Sequence, residues 1–245
     1  MLAPRKTLWS TPRPVLDHVI GLVSPLQPND VVCDIGCGDG RCILEWATAY
    51  SRELLLSKEP SSSGSSANRD DIVDSTESPT TAGFVGLDID PHRIQHATDA
   101  LTRARREGTI PASLDVQFHC ANALERPDLF RERATIVFLY LIPRGLQLIR
   151  PLLMLVGTTK EGEDDDCRET DPDDDQIDDD GNAPIPIASR TIISYMAPLP
   201  DMPEGTLVRR DKITVQTDTA WPVYVYRVSR TTTTTTRMEK QQQQH

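Results

Sequence analysis

The 245-residue chain predicts an α/β fold, a doubly wound and mostly parallel seven-stranded sheet with an antiparallel closing strand. Three observations carry that expectation. Short β-branched runs alternate with helical apolar stripes along most of the chain. The first of these runs ends in a loop with glycine at every second position. Two strand-like segments then follow each other near the C-terminal end with no helical pattern between them. Strand–helix alternation implies right-handed crossovers and a ligand crevice at the carboxyl ends of the strands.

Each element follows from its own residues. Pro12 and Pro14 open a helix over 12–23, with Val15, Leu16, Val19, Ile20 and Val23 on one face. Val31, Val32 and Ile35 make the first strand, which runs into Gly36, Gly38 and Gly40. Without a Cβ these glycines accept φ > 0 and let a ligand approach the backbone. Ile43, Leu44, Ala47 and Tyr50 carry the next helix to about residue 54. Phe84 to Asp90 is a short strand ending in carboxylates, after which Pro91 opens a helix striped by Ile94, Ala97, Leu101 and Ala104 and stopped at Gly108. Leu114 to Cys120 and Ala134 to Leu141 are the third and fourth strands, and Pro143 to Val156 is a helix bent at Pro151. Thr191 to Met196 is the fifth strand, with Leu207 to Val215 and Val223 to Val228 as a closing antiparallel pair.

Length and composition predict one domain over 1–230, interrupted by low-complexity inserts at 57–82 and 158–187 and followed by a disordered tail at 231–245. The net charge of −11 belongs almost entirely to one tract: residues 161–181 hold thirteen acids against one arginine, leaving the rest near +1. Such a tract reads as a solvated insert, or as a collar that draws in a basic substrate. The five cysteines form no Cys-x-x-Cys pair, and His92 and His96 lack further ligands, so neither a metal site nor a disulfide frame is expected. No stretch approaches the roughly 18–20 apolar residues of a membrane span. No transmembrane segment is therefore expected, and the predicted location is cytoplasmic. Arg103, Arg105 and Arg106 form a small basic cluster without interleaved aromatics, which predicts no stable nucleic-acid partner.

The strand-end rule gathers Gly36 to Gly40, Asp88, Asn122 and Tyr140 into one crevice. A dinucleotide loop wants a glycine where Arg41 stands. The Asp-x-Gly-x-Gly-x-Gly run, Asp34 to Gly40, instead resembles motif I of the seven-strand methyltransferases that bind S-adenosylmethionine. Ser10-Thr11-Pro12, Val32 to Arg41, Gly86-Leu87-Asp88, Phe138 to Pro143, Leu148 to Leu152 and Arg190 to Ser194 together resemble one branch of that superfamily. That branch contains the mitochondrial protein-lysine methyltransferases acting on ATP synthase subunit c and the adenine nucleotide translocase. Where the family usually has an acid after the third strand, this chain has Asn122.

The chemistry of S-adenosylmethionine suits these positions. Asp34 matches the ammonium, and amides near Gly36, Cys37, Gly38 and Gly40 match the carboxylate. Asp88 can accept both ribose hydroxyls, with Asp90 left to cap the helix at Pro91. Asn122 can take the adenine amino group, with Ile89 and Ala123 beside it. Each polar residue also has a local alternative as a turn-former or cap. The resemblance implies in-line displacement by a lysine amine of a protein substrate, with Tyr140 as the catalytic and aligning residue and Thr11 at the crevice lip as a substrate contact. Tyr140 reads equally as a core-strand wall, and Thr11 as a helix cap. The resemblance and the faintly basic N-terminus offer a mitochondrial location as the alternative. Methylation of a small molecule or RNA, and cofactor binding without catalysis, are the other functions this site allows.

Overall fold

The computed structural model describes residues 10–57, 81–155, 187–216 and 219–229. Nearly all of the two inserts and the whole tail lie outside the described residues. In chain order the elements are α1 (Arg13–Val23), β1 (Val31–Ile35), α2 (Arg41–Ser57), β2 (Gly83–Asp88), α3 (Pro91–Arg106) and β3 (Val116–Cys120). They continue through β4 (Ile136–Leu139), α4 (Pro143–Leu153), β5 (Ser189–Tyr195), β6 (Leu207–Gln216) and β7 (Thr219–Ser229).

The strands form one seven-stranded sheet in the order β3-β2-β1-β4-β5-β7-β6. Pairings from β3 through β5 are parallel, while β7 runs antiparallel to both β5 and β6. The chain direction across the sheet reverses between β1 and β4. Their carboxyl ends therefore open a crevice at the switch point. The central strands are covered on both faces, which explains their largely apolar runs. On one face Val32, Phe84 and Phe138 pack with α1, α2 and α3 through Leu16, Trp46 and Leu101. On the other, Cys33, Val85 and Val137 pack with Leu146, Ile149 and Leu153 of α4.

Several boundaries differ from the sequence reading, and three of them have a visible structural reason. β4 stops at Leu139, so Tyr140 lies beyond the strand and Ile142 is already the extended residue preceding α4. β2 stops at Asp88 because the Asp90 amide turns back to Asp88 Oδ1 at 2.9 Å. α4 ends at Leu153 rather than Val156, where Met154 turns extended. The Leu153 carbonyl accepts from Arg190 Nη1 at 2.9 Å, so a buried arginine takes the place of the next helical turn.

Candidate active site

The crevice is lined by Ser10, Thr11, Asp34, Gly36, Cys37, Gly38, Asp39, Arg41, Cys42, Phe138 and Tyr140. Hydrophobic pressure on β1 delivers Asp34 there. Val32, Cys33 and Ile35 are core residues, and the alternation carries the carboxyl between them to the helix-covered face, 2% exposed. No basic side chain pairs with it among the described residues. Burial, with Asp88 and Asp39 nearby, pushes the Asp34 carboxyl up to about 7, and the Cys42 thiol opposes that rise. The same thiol donates to the Thr11 hydroxyl at 3.5 Å. Thr11 is buried, and α1 has no side-chain cap, so Thr11 serves the crevice wall rather than the helix start.

The glycine loop is organised differently from the sequence reading. The amides of Gly36 and Cys37 both donate to the Leu87 carbonyl, at 2.8 and 2.9 Å, and the Gly38 amide donates to Asp88 Oδ2 at 2.9 Å. The Gly40 amide donates to the Cys37 carbonyl at 3.0 Å. The amides of Gly36, Cys37 and Gly38 therefore tie the loop to β2 and, with that of Gly40, are not free donors for a ligand carboxylate. Gly36, Gly38 and Gly40 all have positive φ, as expected. At Gly40, however, a Cβ would meet no ligand space: it would lie 2.6 Å from the Phe118 ring and 2.7 Å from Ala97. Gly86 is required by the same ring, at 2.6 Å.

Asp88 is buried, its two oxygens held by the Gly38 and Asp90 amides, and Arg93 Nη1 lies 3.9 Å away. Asp90 caps α3 through its bond from the His92 amide at 3.0 Å. Past the end of β3, Asn122 is a turn-former: its oxygen accepts from the Leu124 amide at 3.1 Å and its amide donates to Glu125 at 2.8 Å. The expected adenine contact would have to share that oxygen. Ala123 is buried, and Ile89, 54% exposed, offers an apolar surface at the neighbouring strand end. Tyr140 faces the crevice and packs edge-on to Tyr195, with ring centroids 4.8 Å apart. Desolvation raises the Tyr140 hydroxyl above the ordinary phenol value, so it stays protonated at neutral pH.

The geometry thus brings together Thr11, Asp34, the glycine loop and Tyr140. Asp88 is linked to that group through Gly38, while Ile89, Asn122 and Ala123 lie along the adjoining strand ends. Sequence reasoning placed Asp39 in the crevice within the Gly36 to Gly40 loop but missed Ser10, Arg41, Cys42 and Phe138 as crevice walls. Their proximity to the recognised Asp34 and Tyr140 in the chain was the signal available for most of them.

No protein-family model matches the chain, and no curated protein matches its sequence. Among solved structures it is similar to an RNA methyltransferase from Salinibacter ruber in complex with S-adenosyl-L-homocysteine. That match is 21% identical over 90% of this chain and 94% of the other, with a TM-score of 0.51. A magnesium protoporphyrin IX methyltransferase from Synechocystis PCC 6803 with bound S-adenosylhomocysteine matches at 12% identity over 88% of this chain and 82% of that one, with a TM-score of 0.46. An rRNA methylase from Streptococcus thermophilus matches at 10% identity, 91% and 100% coverage and a TM-score of 0.43. The chain has the seven-strand methyltransferase fold.

Proposed function

We propose that the chain is an S-adenosylmethionine-dependent methyltransferase acting on a lysine amine of a protein substrate. The observation that carries the cofactor half is Asp34: a buried carboxyl facing a crevice with no cation paired to it among the described residues. An isolated buried carboxylate is costly, and a ligand ammonium is the group that relieves it. Asp88, at the next strand end, supplies carboxylate oxygens for a ribose diol while anchoring the loop. The fold likeness supports this reading, since the Salinibacter protein was crystallised with S-adenosyl-L-homocysteine. The substrate half rests on the resemblance of the Ser10-Thr11-Pro12 and Phe138 to Pro143 segments to the lysine-directed branch.

The bound cofactor would supply an electrophilic methyl on a sulfonium. The chain's residues would orient and desolvate. Phe138 and Tyr140 exclude water from one wall of the crevice. Holding a lysine neutral at pH 7 costs about 4.6 kcal/mol, and a dry site beside positive charge lowers that cost. The protonated Tyr140 hydroxyl has lone pairs to accept from the amine and fix its line of approach.

RNA methylation is the second reading, favoured by the Salinibacter relative's own description. Against it, the guanidinium of Arg105 in the basic cluster, although exposed, donates to the Leu114 carbonyl at 3.1 Å and so is partly engaged within the chain. Calorimetry with S-adenosylmethionine tests the cofactor: absence of binding by the wild type overturns both readings. Incubation with labelled cofactor and cell extract separates them. Label recovered on lysine after nuclease treatment and hydrolysis supports the first reading, and nuclease-sensitive label supports the second.

A further inference from the structure

We infer that Arg41 receives the α-carboxylate of the cofactor's amino-acid end, which makes it the residue that selects the carboxylated cofactor over its decarboxylated analogue. The inference rests on the cofactor reading above. It begins from donor accounting around the glycine loop. The amides of Gly36, Cys37, Gly38 and Gly40 are all engaged within the protein, and the Arg41 amide itself donates to Asp39 Oδ1 at 3.3 Å. A carboxylate entering beside Asp34 therefore meets no free loop amide at those positions.

Among the described residues, the cations near the crevice narrow the choice to one. Arg13 is held by Asp17 and Glu45, each at 2.8 Å. Arg93 stands between Asp88 and Asp90, at 3.9 and 3.6 Å. Arg41 lines the crevice itself, and its guanidinium makes no ion pair or hydrogen bond among the described residues. It is the first residue of α2, so the helix dipole adds to its positive field. Asp34 and Arg41 thus place opposite charges on the wall of one crevice, the arrangement that a zwitterionic amino-acid group requires.

The test compares two ligands on the purified full chain by calorimetry: S-adenosylmethionine, and decarboxylated S-adenosylmethionine, which keeps the ammonium and sulfonium. Wild type is expected to prefer the carboxylated ligand by about 10- to 100-fold, the range of a charge-assisted hydrogen bond. Arg41→Gln should bring that preference close to one by weakening the carboxylated ligand alone. Arg52→Gln, an exposed arginine on the same helix, should keep the preference and so controls for bulk charge. A ligand-free melting curve for each variant establishes that it is folded. Equal weakening of both ligands by Arg41→Gln, or no preference in the wild type, overturns the inference while leaving the cofactor reading intact. Failure of the wild type to bind either ligand overturns the cofactor reading itself.

Discussion

Asp34 should lower the stability of the ligand-free protein at high pH while being required for cofactor binding, and Asp34→Asn separates the two effects. The carboxyl is 2% exposed and is pushed from 3.8 to about 7 chiefly by desolvation. Between those values the native state holds a proton that the unfolded state has released, so stability falls as pH rises through that window. A carboxyl displaced that far forfeits about 4 kcal/mol once the pH exceeds 7. An asparagine carries no charge and avoids that cost, although its buried amide hydrogens need partners, at about 1–3 kcal/mol if unmade. The net expectation is a gain of roughly 1–3 kcal/mol at pH 8, about 5 °C in melting temperature for a domain of this size, and no gain at pH 5.

The assay is thermal melting of both proteins at pH 5 and pH 8, with and without S-adenosylmethionine. Wild type should melt lower at pH 8 than the variant and recover on adding the cofactor, since ligand binding to the native state raises the transition. The variant should show little cofactor-induced shift. Wild-type affinity should also fall toward tenfold per pH unit below about 7, because binding a cation must first displace the Asp34 proton. Identical melting of the two proteins at pH 8, or a full cofactor-induced shift in Asp34→Asn, would refute the reasoning.

Three further outcomes are expected from the geometry. Asp88→Ala should abolish cofactor binding by calorimetry and release the Gly38 amide, whereas Asp90→Ala should cost about 1 kcal/mol of stability through its lost cap and leave cofactor affinity almost unchanged. Gly40→Ala should destabilise by about 3 kcal/mol in denaturant titration, summing left-handed backbone strain at φ +76° with the collision against Phe118 and Ala97, and Phe118→Leu in the same chain should recover part of it. Arg190→Met should cost roughly 2–4 kcal/mol, because it strips donors from the carbonyls of Ala134, Leu153, Phe130 and Arg131, and Arg190→Lys should recover little since an ammonium cannot span that set.

The sheet was legible because its signals are local. Each central strand is built on a short apolar run, each helix has a periodic stripe, and every predicted strand has a counterpart in the sheet. One boundary failed because a side chain distant in sequence meets it: Arg190 binds the Leu153 carbonyl where α4 ends, and no window around Pro151 contains that information. Arg190 shows the same limit in another way. It sits beside Thr191 at the start of a strand and would ordinarily be placed in solvent, yet it is 1% exposed, its guanidinium held by backbone carbonyls while burial lowers it to about 10.

The glycine loop exposes a limit of motif reading. Gly40 and Gly86 are required by the ring of Phe118 on β3, a residue outside the motif, and the amides of Gly36, Cys37 and Gly38 are taken by Leu87 and Asp88 on β2. Glycine spacing here records how tightly three strands and two helices meet, and it would do so whether or not a ligand entered. With the amides of Gly36, Cys37, Gly38 and Gly40 engaged, the proposed recognition of the cofactor would rest chiefly on side chains: Asp34, Arg41 and Tyr140 along the crevice wall and Asp88 at the neighbouring strand end. Side-chain recognition makes single substitutions informative. Removing one charge should change the response to one functional group of the ligand, which a backbone cradle would not allow.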